Sequence, residues 1–490
     1  MGTRAHESDR RWERAVVIGG GYAGLVTARV LTDCFREVVL LERDEVDEHT
    51  GVHPHAPQGH HAHAMLARGA EVLETLFPGL REELRELGAP VYDYGERMSF
   101  LQPAGFAPRH PTGVLIQSFT RDELERRLRR RVLALPGVRL LAPARCEGLL
   151  AERPGAVTGV VYRVAGAEEP ATLAADLVVD ASGRAGGLDG RLDALGVRVP
   201  APRVVKAKIT YTSMVFARPE RDRPDFDAAY QMTFAPGIPR GGVILAVERN
   251  RWTCSLFGFD DQVPPTDDQG YLDFARSLAN PLLAELIERR TRPEPTRRYV
   301  NPNNQWSQYH RVRDWPERLL AVGDSVCVFN PVYGQGLTVA ALEARLLQRM
   351  LAARRAGGEG LDGLGRRFQR RLARVLLVPW TLSSNSDLMW NPDGRPLPAR
   401  VAHWYNSQVF TVAVHDPEVW SRFVRVANMV APPTLLFQPS VLRKVVGAAL
   451  RRRRAAPPAP TTPTARTART AGHPVPGPAT EAPSSTTPSR

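Results

Sequence analysis

Lysine is almost absent. Of the 65 basic side chains in 490 residues, all but Lys206, Lys208 and Lys444 are arginine. That bias fits a GC-rich coding sequence better than any chemical requirement. Cysteine is scarce as well: Cys34, Cys146, Cys254 and Cys327 stand far apart with no CxxC. Neither a zinc cluster nor a disulfide framework is indicated. No apolar run approaches the roughly 18 to 20 uninterrupted residues of a membrane span, and the opening MGTRAHESDRRWER is too polar for a secretory signal. A cytoplasmic protein is expected. The formal charge of +13 misleads, because nearly half of it sits in the tail 451–490, with seven arginines against Glu481. No basic stripe with interleaved stacking aromatics occurs, so no nucleic-acid partner is expected.

The most informative stretch is residues 15–44, AVVIGGGYAGLVTARVLTDCFREVVLLERD. An apolar run enters Gly19-x-Gly21-x-x-Gly24, a helical stretch follows, and a second apolar run ends at Glu42. This is strand, tight turn, helix, strand. Gly19 allows the sharp exit, Gly21 lets a pyrophosphate approach the backbone, and Gly24 lets helix and strand pack closely. A diphosphate would rest on the helix N–H groups, flanked by Tyr22 and Ala23, at the positive end of the helix dipole. Glu42, followed by Arg43, is placed to accept hydrogen bonds from ribose hydroxyls.

Next comes a loop rich in Gly, Pro and His. Its histidines, His53, His55, His60, His61 and His63, have no carboxylate or cysteine spaced with them as a ligand set, so no metal is expected. Gln58, Gly59 and His60 instead suit polar and backbone contacts near a redox ring, at the start of a helix over 62–76. Thr120 reads as the N-cap of a helix to residue 134, with Arg121 in its first turn as a phosphate or flavin contact. Residues 177–184, LVVDASGR, read as a buried strand ending in a small-residue turn that carries Ser182 and Gly183. Between 204 and 259, β-rich runs separated by Pro, Gly and Asp predict a mostly antiparallel sheet facing a cavity, with Tyr230, Met232 and Phe257 as pocket residues. A helix is expected over 273–288.

A second motif lies about 300 residues after the first. A strand over 319–322 delivers Gly323 and Asp324, and Pro331, Gly334, Gly336 and Leu337 then open a long apolar helix. Asp324 suits the ribityl chain of a flavin. The N–H groups of 334–337 suit its pyrimidine edge, where a helix end stabilises the negative charge of the reduced ring. Beyond residue 360 the chain reads as helical, with one helix over 361–377, a polar segment over 383–390, and helices over 398–413 and 416–429. Residues 441–454 are apolar on one side and basic on the other, which suits packing on the protein itself or, here alone in the chain, resting on a membrane surface. The Pro- and Thr-rich stretch 455–490 is expected to be disordered.

Together these motifs resemble the FAD-dependent monooxygenases of the hydroxybenzoate-hydroxylase fold. Within that group QGHHAHAML, DLVVDASGR and FNPVYGQGLTVAALEA look most like the bacterial flavin epoxidases of polyether polyketide biosynthesis, relatives of squalene epoxidase. The resemblance implies an α/β fold: a Rossmann-like FAD-binding domain, an inserted mostly antiparallel β-sheet substrate domain and a C-terminal helical region. The expected division is a leader over 1–14; FAD-binding segments 15–90, 118–200 and 296–360; substrate-binding segments 91–117 and 201–295; helices over 361–454; and the tail. It further implies oxygen transfer from O2 through a flavin C4a-hydroperoxide to an alkene of a large apolar polyene or polyketide. Aromatic hydroxylation and a geranylgeranyl-reductase-like reduction of isoprenoid double bonds are the alternatives. His60, Tyr333 and Gln335 fall near the ring and are the candidate catalytic residues. Aromatic hydroxylases carry Asp-Gly where this chain has Ser182-Gly183, so the resemblance implies electrons from NAD(P)H that arrive either directly or through a separate flavin reductase. Flavin halogenases need a lysine near the redox channel and a WxWxIP segment; residues 1–205 contain no lysine and the segment is missing.

Overall fold

A five-stranded parallel sheet carries the first motif. Its order is Leu319–Ala321, Leu177–Asp180, Trp12–Ile18, Phe35–Leu41 and Val138–Leu141. The computed structural model describes residues 12–49, 51, 62–153, 155–219, 224–300, 303–391 and 395–455. Ala15 to Ile18 are buried, as the apolar run requires of a central parallel strand covered on both faces. Helix Tyr22–Leu31 buries eight of its ten residues and packs beneath the long helix Gly336–Ala356, so the two motifs share one core.

A seven-stranded sheet forms the second layer, in the order Arg297–Val300, Ile209–Ala217, Arg251–Phe259, Arg240–Val247, Ala228–Gln231, Met98–Gln102 and Gly105–Phe106. Every pairing is antiparallel except that of Met98–Leu101 with Ala228–Gln231. An α/β fold of hydroxybenzoate-hydroxylase type, with a helical C-terminal region, is thus present. The described residues up to Ala448 form one compact unit, and Ala449 to Ala455 belong to a second. All four cysteines are buried and unlinked.

Several local expectations are corrected. The first strand begins at Trp12, inside the expected leader. His63–Met65 is a strand, paired with Gln117–Phe119, and the helix starts only at Ala67. The span 273–288 holds two helices, Asp268–Arg276 and Pro281–Glu288, because Asn280 caps the second and Pro281 opens it. One helix, Leu364–Leu388, runs through Pro379 and absorbs the polar segment, since Ser383 and Asp387 find buried partners there. Thr120 does cap helix Arg121–Leu133, its hydroxyl accepting from the Glu123 N–H. Residues 456–490 lie outside the described residues, as do Gln58, Gly59, His60 and the other expected histidines except His63.

Candidate active site

The two motifs meet at a cavity of about 1480 Å³. Gly19, Gly21, Tyr22, Ala23, Glu42, Arg43, Arg121, Ser182, Gly183, Gly323, Asp324, Pro331, Tyr333, Gly334, Gln335, Gly336 and Leu337 all line it. Gly24 does not. A Cβ there would lie 1.9 Å from the Gly19 carbonyl oxygen, so its part is the tight packing of helix on turn. At Gly21 a Cβ would meet no atom of the described residues within 4 Å, because its direction opens into the cavity.

One buried carboxylate holds the loops together. Asp180 ends the strand Leu177–Asp180 and accepts from the hydroxyls of Ser182 at 2.7 Å and Ser325 at 2.8 Å. Its other oxygen pairs with Arg191, and the Gly183 N–H donates to the Ser325 hydroxyl. Asp180 thus binds a side chain 145 residues further along the chain, and the turn after the middle strand is fixed to the Gly323–Ser325 turn. Sequence reasoning gave Asp180 no role, although an acid closing an otherwise apolar strand was its signal.

The polar end of the cavity is charged in both senses. Glu42 accepts from the Gly20 N–H at 2.6 Å and from the Asp44 N–H at 2.9 Å, so backbone already engages both of its oxygens. Arg121 pairs with Glu125 at 2.6 Å. Arg129 follows at the same spacing on that helix, fully buried, with Nη2 3.4 Å from the Gly20 carbonyl. The Arg-x-x-x-Glu-x-x-x-Arg repeat was legible and was missed. Asp324 projects into the cavity and makes no hydrogen bond or ion pair among the described residues. The surrounding protein raises its pKa above the usual carboxylate value, against the positive fields of Arg121 and Arg184.

Two helices open onto this space, Tyr22–Leu31 with Gly21 as N-cap and Gly336–Ala356 with Gln335 as N-cap, and neither carries a side-chain cap. Their first N–H groups and positive dipole ends therefore face the cavity unanswered by side chains. The Tyr22 hydroxyl and the Gln335 carbonyl oxygen are buried there without partners among the described residues. Buried polar groups normally find a partner, so this pair fits an elongated polar ligand with anionic character, as a flavin dinucleotide has. Behind Leu337, Glu343 accepts from the Gly323 N–H at 2.5 Å, and burial pushes its pKa up to about 8.

The other end of the cavity is apolar and aromatic. Phe100 stacks on Tyr230 at 4.9 Å, and Tyr230 and Tyr211 flank Phe257 at 6.2 and 5.7 Å. Tyr230, Met232 and Phe257 line the cavity as expected. Tyr333 does too, but its hydroxyl donates to Asp387 at 2.7 Å. His63, on its short strand, also reaches the cavity.

Comparison with known proteins agrees with this geometry. Residues 13–376 match the model of a family described as FAD binding domain. Protein Rv3254 of Mycobacterium tuberculosis is 31% identical over 457 residues, covering 89% of this chain and 93% of that protein. The flavin-dependent brominase Bmp2 superposes with a TM-score of 0.60 at 14% identity, over 90% of this chain and 99% of its own. PqsL of Pseudomonas aeruginosa, solved with 2-aminobenzoylacetate, gives 0.58 at 16%, over 80% and 99%. The anhydrotetracycline hydroxylase OxyS of Streptomyces rimosus gives 0.54 at 18%, over 85% and 76%. At such identities these three structures speak to fold. The family match covers most of the chain, the glycine turns described above among it, and the chain belongs to the FAD-binding-domain family.

Proposed function

We propose that this chain is an FAD-dependent monooxygenase that places one oxygen atom from O2 on a large apolar polyene or polyketide, epoxidising its alkenes. The observation that carries the reading is the continuity of one cavity. A polar end with two uncapped helix termini runs into a wall of Phe100, Tyr230, Phe257 and Tyr211. When bound and reduced, FAD supplies the activation of O2, which the protein side chains cannot. Gly19, Gly21, Tyr22, Glu42, Arg43 and Arg121 would hold the adenosine diphosphate portion. Ser182, Gly183 and Asp324 would take the ribityl chain, and Gln335 to Leu337 the ring edge. The chain's own contribution to oxygen transfer is then to exclude water and to fix a double bond in the aromatic end.

Hydroxylation is the second reading. The Tyr230 hydroxyl on the apolar wall favours a substrate with polar substituents on a ring system, and a fold neighbour named as an anhydrotetracycline hydroxylase gives that class a precedent. Reduction of isoprenoid double bonds would use the same cavity without oxygen. Halogenation is disfavoured, since none of the three lysines lines the cavity. The Asp-Gly position of aromatic hydroxylases is Ser182, its hydroxyl tied to Asp180, which supports electron delivery from NAD(P)H by a separate flavin reductase. No nucleic-acid partner is proposed.

The test is turnover of a polyene or aromatic polyketide panel under isotopically labelled O2 with a flavin reductase present. One labelled oxygen in an epoxide product supports the first reading, and one in a hydroxylated ring the second. Anaerobic conversion with loss of a double bond would overturn both.

A further inference from the structure

The helix Leu364–Leu388 buries one face in the core, with Phe368, Leu372, Leu376 and Trp380 inside. Its outer face is unusual. Over the first three turns it shows Arg366, Arg367, Arg370, Arg371 and Arg374, all exposed and none in an ion pair among the described residues. Glu317, the acid beside them, accepts instead from the Gly363 N–H. The three- and four-residue spacing of a helix then continues the same stripe through Leu377, 56% exposed, Val378 and Leu382.

A second helix repeats the apolar half. In Leu397–Ala413 the residues Leu397, Val401 and Trp404 follow an i, i+4, i+7 pattern, which normally marks a core-facing stripe. Here they face outward, at 68%, 55% and 51% exposure. The opposite side of this helix packs inward through Ala399, Val409 and Phe410, and the two helices contact each other. Together they hold a single acid, Asp387, and it is fully buried.

Solvated arginines alone would be an ordinary surface, and isolated exposed leucines would be ordinary too. Their joining on one stripe, with Glu317 alone beside five arginines, needs a partner that is anionic where the stripe is basic and apolar where it is not. A second copy of this chain fits poorly. A two-fold contact through this face would bring arginines against arginines, with no exposed carboxylate on either helix to separate them. A lipid surface supplies phosphates and hydrocarbon side by side, and Trp at the boundary is a common anchor. We propose that this face docks the protein on an anionic lipid surface, the arginines meeting headgroups and Leu377, Val378, Leu382, Leu397, Val401 and Trp404 entering the headgroup boundary. No helix among the described residues is long and apolar enough to cross a membrane, so the contact is peripheral.

The experiment uses the full chain, sedimented with vesicles of phosphatidylcholine alone or mixed with phosphatidylglycerol. Pelleting is expected with the anionic vesicles, weakened by added salt, together with a blue shift of tryptophan emission that Trp404→Phe removes. Arg367→Glu/Arg370→Glu/Arg371→Glu should weaken binding by at least about tenfold, because each basic side chain near an anionic surface contributes roughly a fivefold factor. Leu397→Ser/Val401→Ser should weaken it at low salt as well, and unchanged FAD binding checks the fold of both variants. Failure of the native chain to pellet, or pelleting of both variants like the native chain, would overturn the proposal. So would a concentration-dependent dimer abolished by Leu397→Ser/Val401→Ser in a protein indifferent to vesicles.

Discussion

Tyr333, in the turn that opens the long site helix, donates its hydroxyl to Asp387, 54 residues further along the chain. Asn304 and Asn330 donate to the same carboxylate at 2.5 and 3.1 Å, Tyr211 donates to Asn330 at 2.6 Å, and Ser383 donates to Asn304 at 2.6 Å. The loop 330–334 is thereby tied to the last turn of helix Leu364–Leu388 through one buried acid.

That acid should leave a signature in stability. Burial raises the Asp387 pKa to about 7, against the hydrogen bonds of Tyr333, Asn330 and Asn304. A carboxyl raised in the folded state binds more protons there than in the unfolded chain. Its stabilising contribution is fully present below the unfolded value of about 4 and is lost as pH rises through about 7. Thermal melts of the native chain should therefore fall, relative to those of Asp387→Asn, by at most about 1.4 kcal/mol per pH unit across that window. Parallel pH profiles would refute the assignment.

Glycine substitutions should separate packing from ligand contact. Gly24→Ala places a methyl against the Gly19 carbonyl and should destabilise the apo protein by about 1–3 kcal/mol or more. Gly21→Ala meets no atom of the described residues and should melt with the native apo chain, yet bind FAD at least about tenfold more weakly, since its methyl enters the cavity. Apo melting curves and FAD titration read the two effects independently.

Removing the Asp180 clamp should cost more than any cavity change. Asp180→Ala leaves Arg191 buried without its partner, a loss of about 3–5 kcal/mol. It also releases Ser182 and Ser325, so retained FAD should exchange faster. A melting temperature within a degree or so of the native chain would contradict the clamp.

Gln335→Met tests the unpartnered carbonyl. Deleting a buried oxygen with no hydrogen bond should leave apo stability equal or higher, by up to about 1–2 kcal/mol, while FAD affinity drops. A less stable apo variant with native affinity would assign Gln335 a packing role instead.

The parts of this molecule legible in sequence are those whose cause is local. The turn at Gly19 and Gly24, the buried runs at 15–18 and 177–180 and the cap at Thr120 each depend on a few neighbouring residues. What escaped depends on distant partners. His63–Met65 is extended because Gln117–Phe119 pairs with it, and Met98–Leu101 joins a sheet whose next strand begins at Ala228. Likewise Asp387 reads as one more polar residue in a serine-rich stretch until Asn304, Asn330 and Tyr333 surround it. Arg129 and Asp180 had signals in their spacing and position, but only the fold shows them beneath the glycine turns.

The buried cysteines bear on durability. An enzyme that reduces oxygen releases hydrogen peroxide whenever electrons miss the substrate, and thiolates at its surface are the first groups such peroxide attacks. Here all four sulfurs are enclosed, and burial lifts the thiols of Cys146 and Cys254 to about 11 and about 12. Such peroxide would find every cysteine thiol of this protein buried, and a single cysteine placed on its exterior would be the one thiol open to alkylating labels.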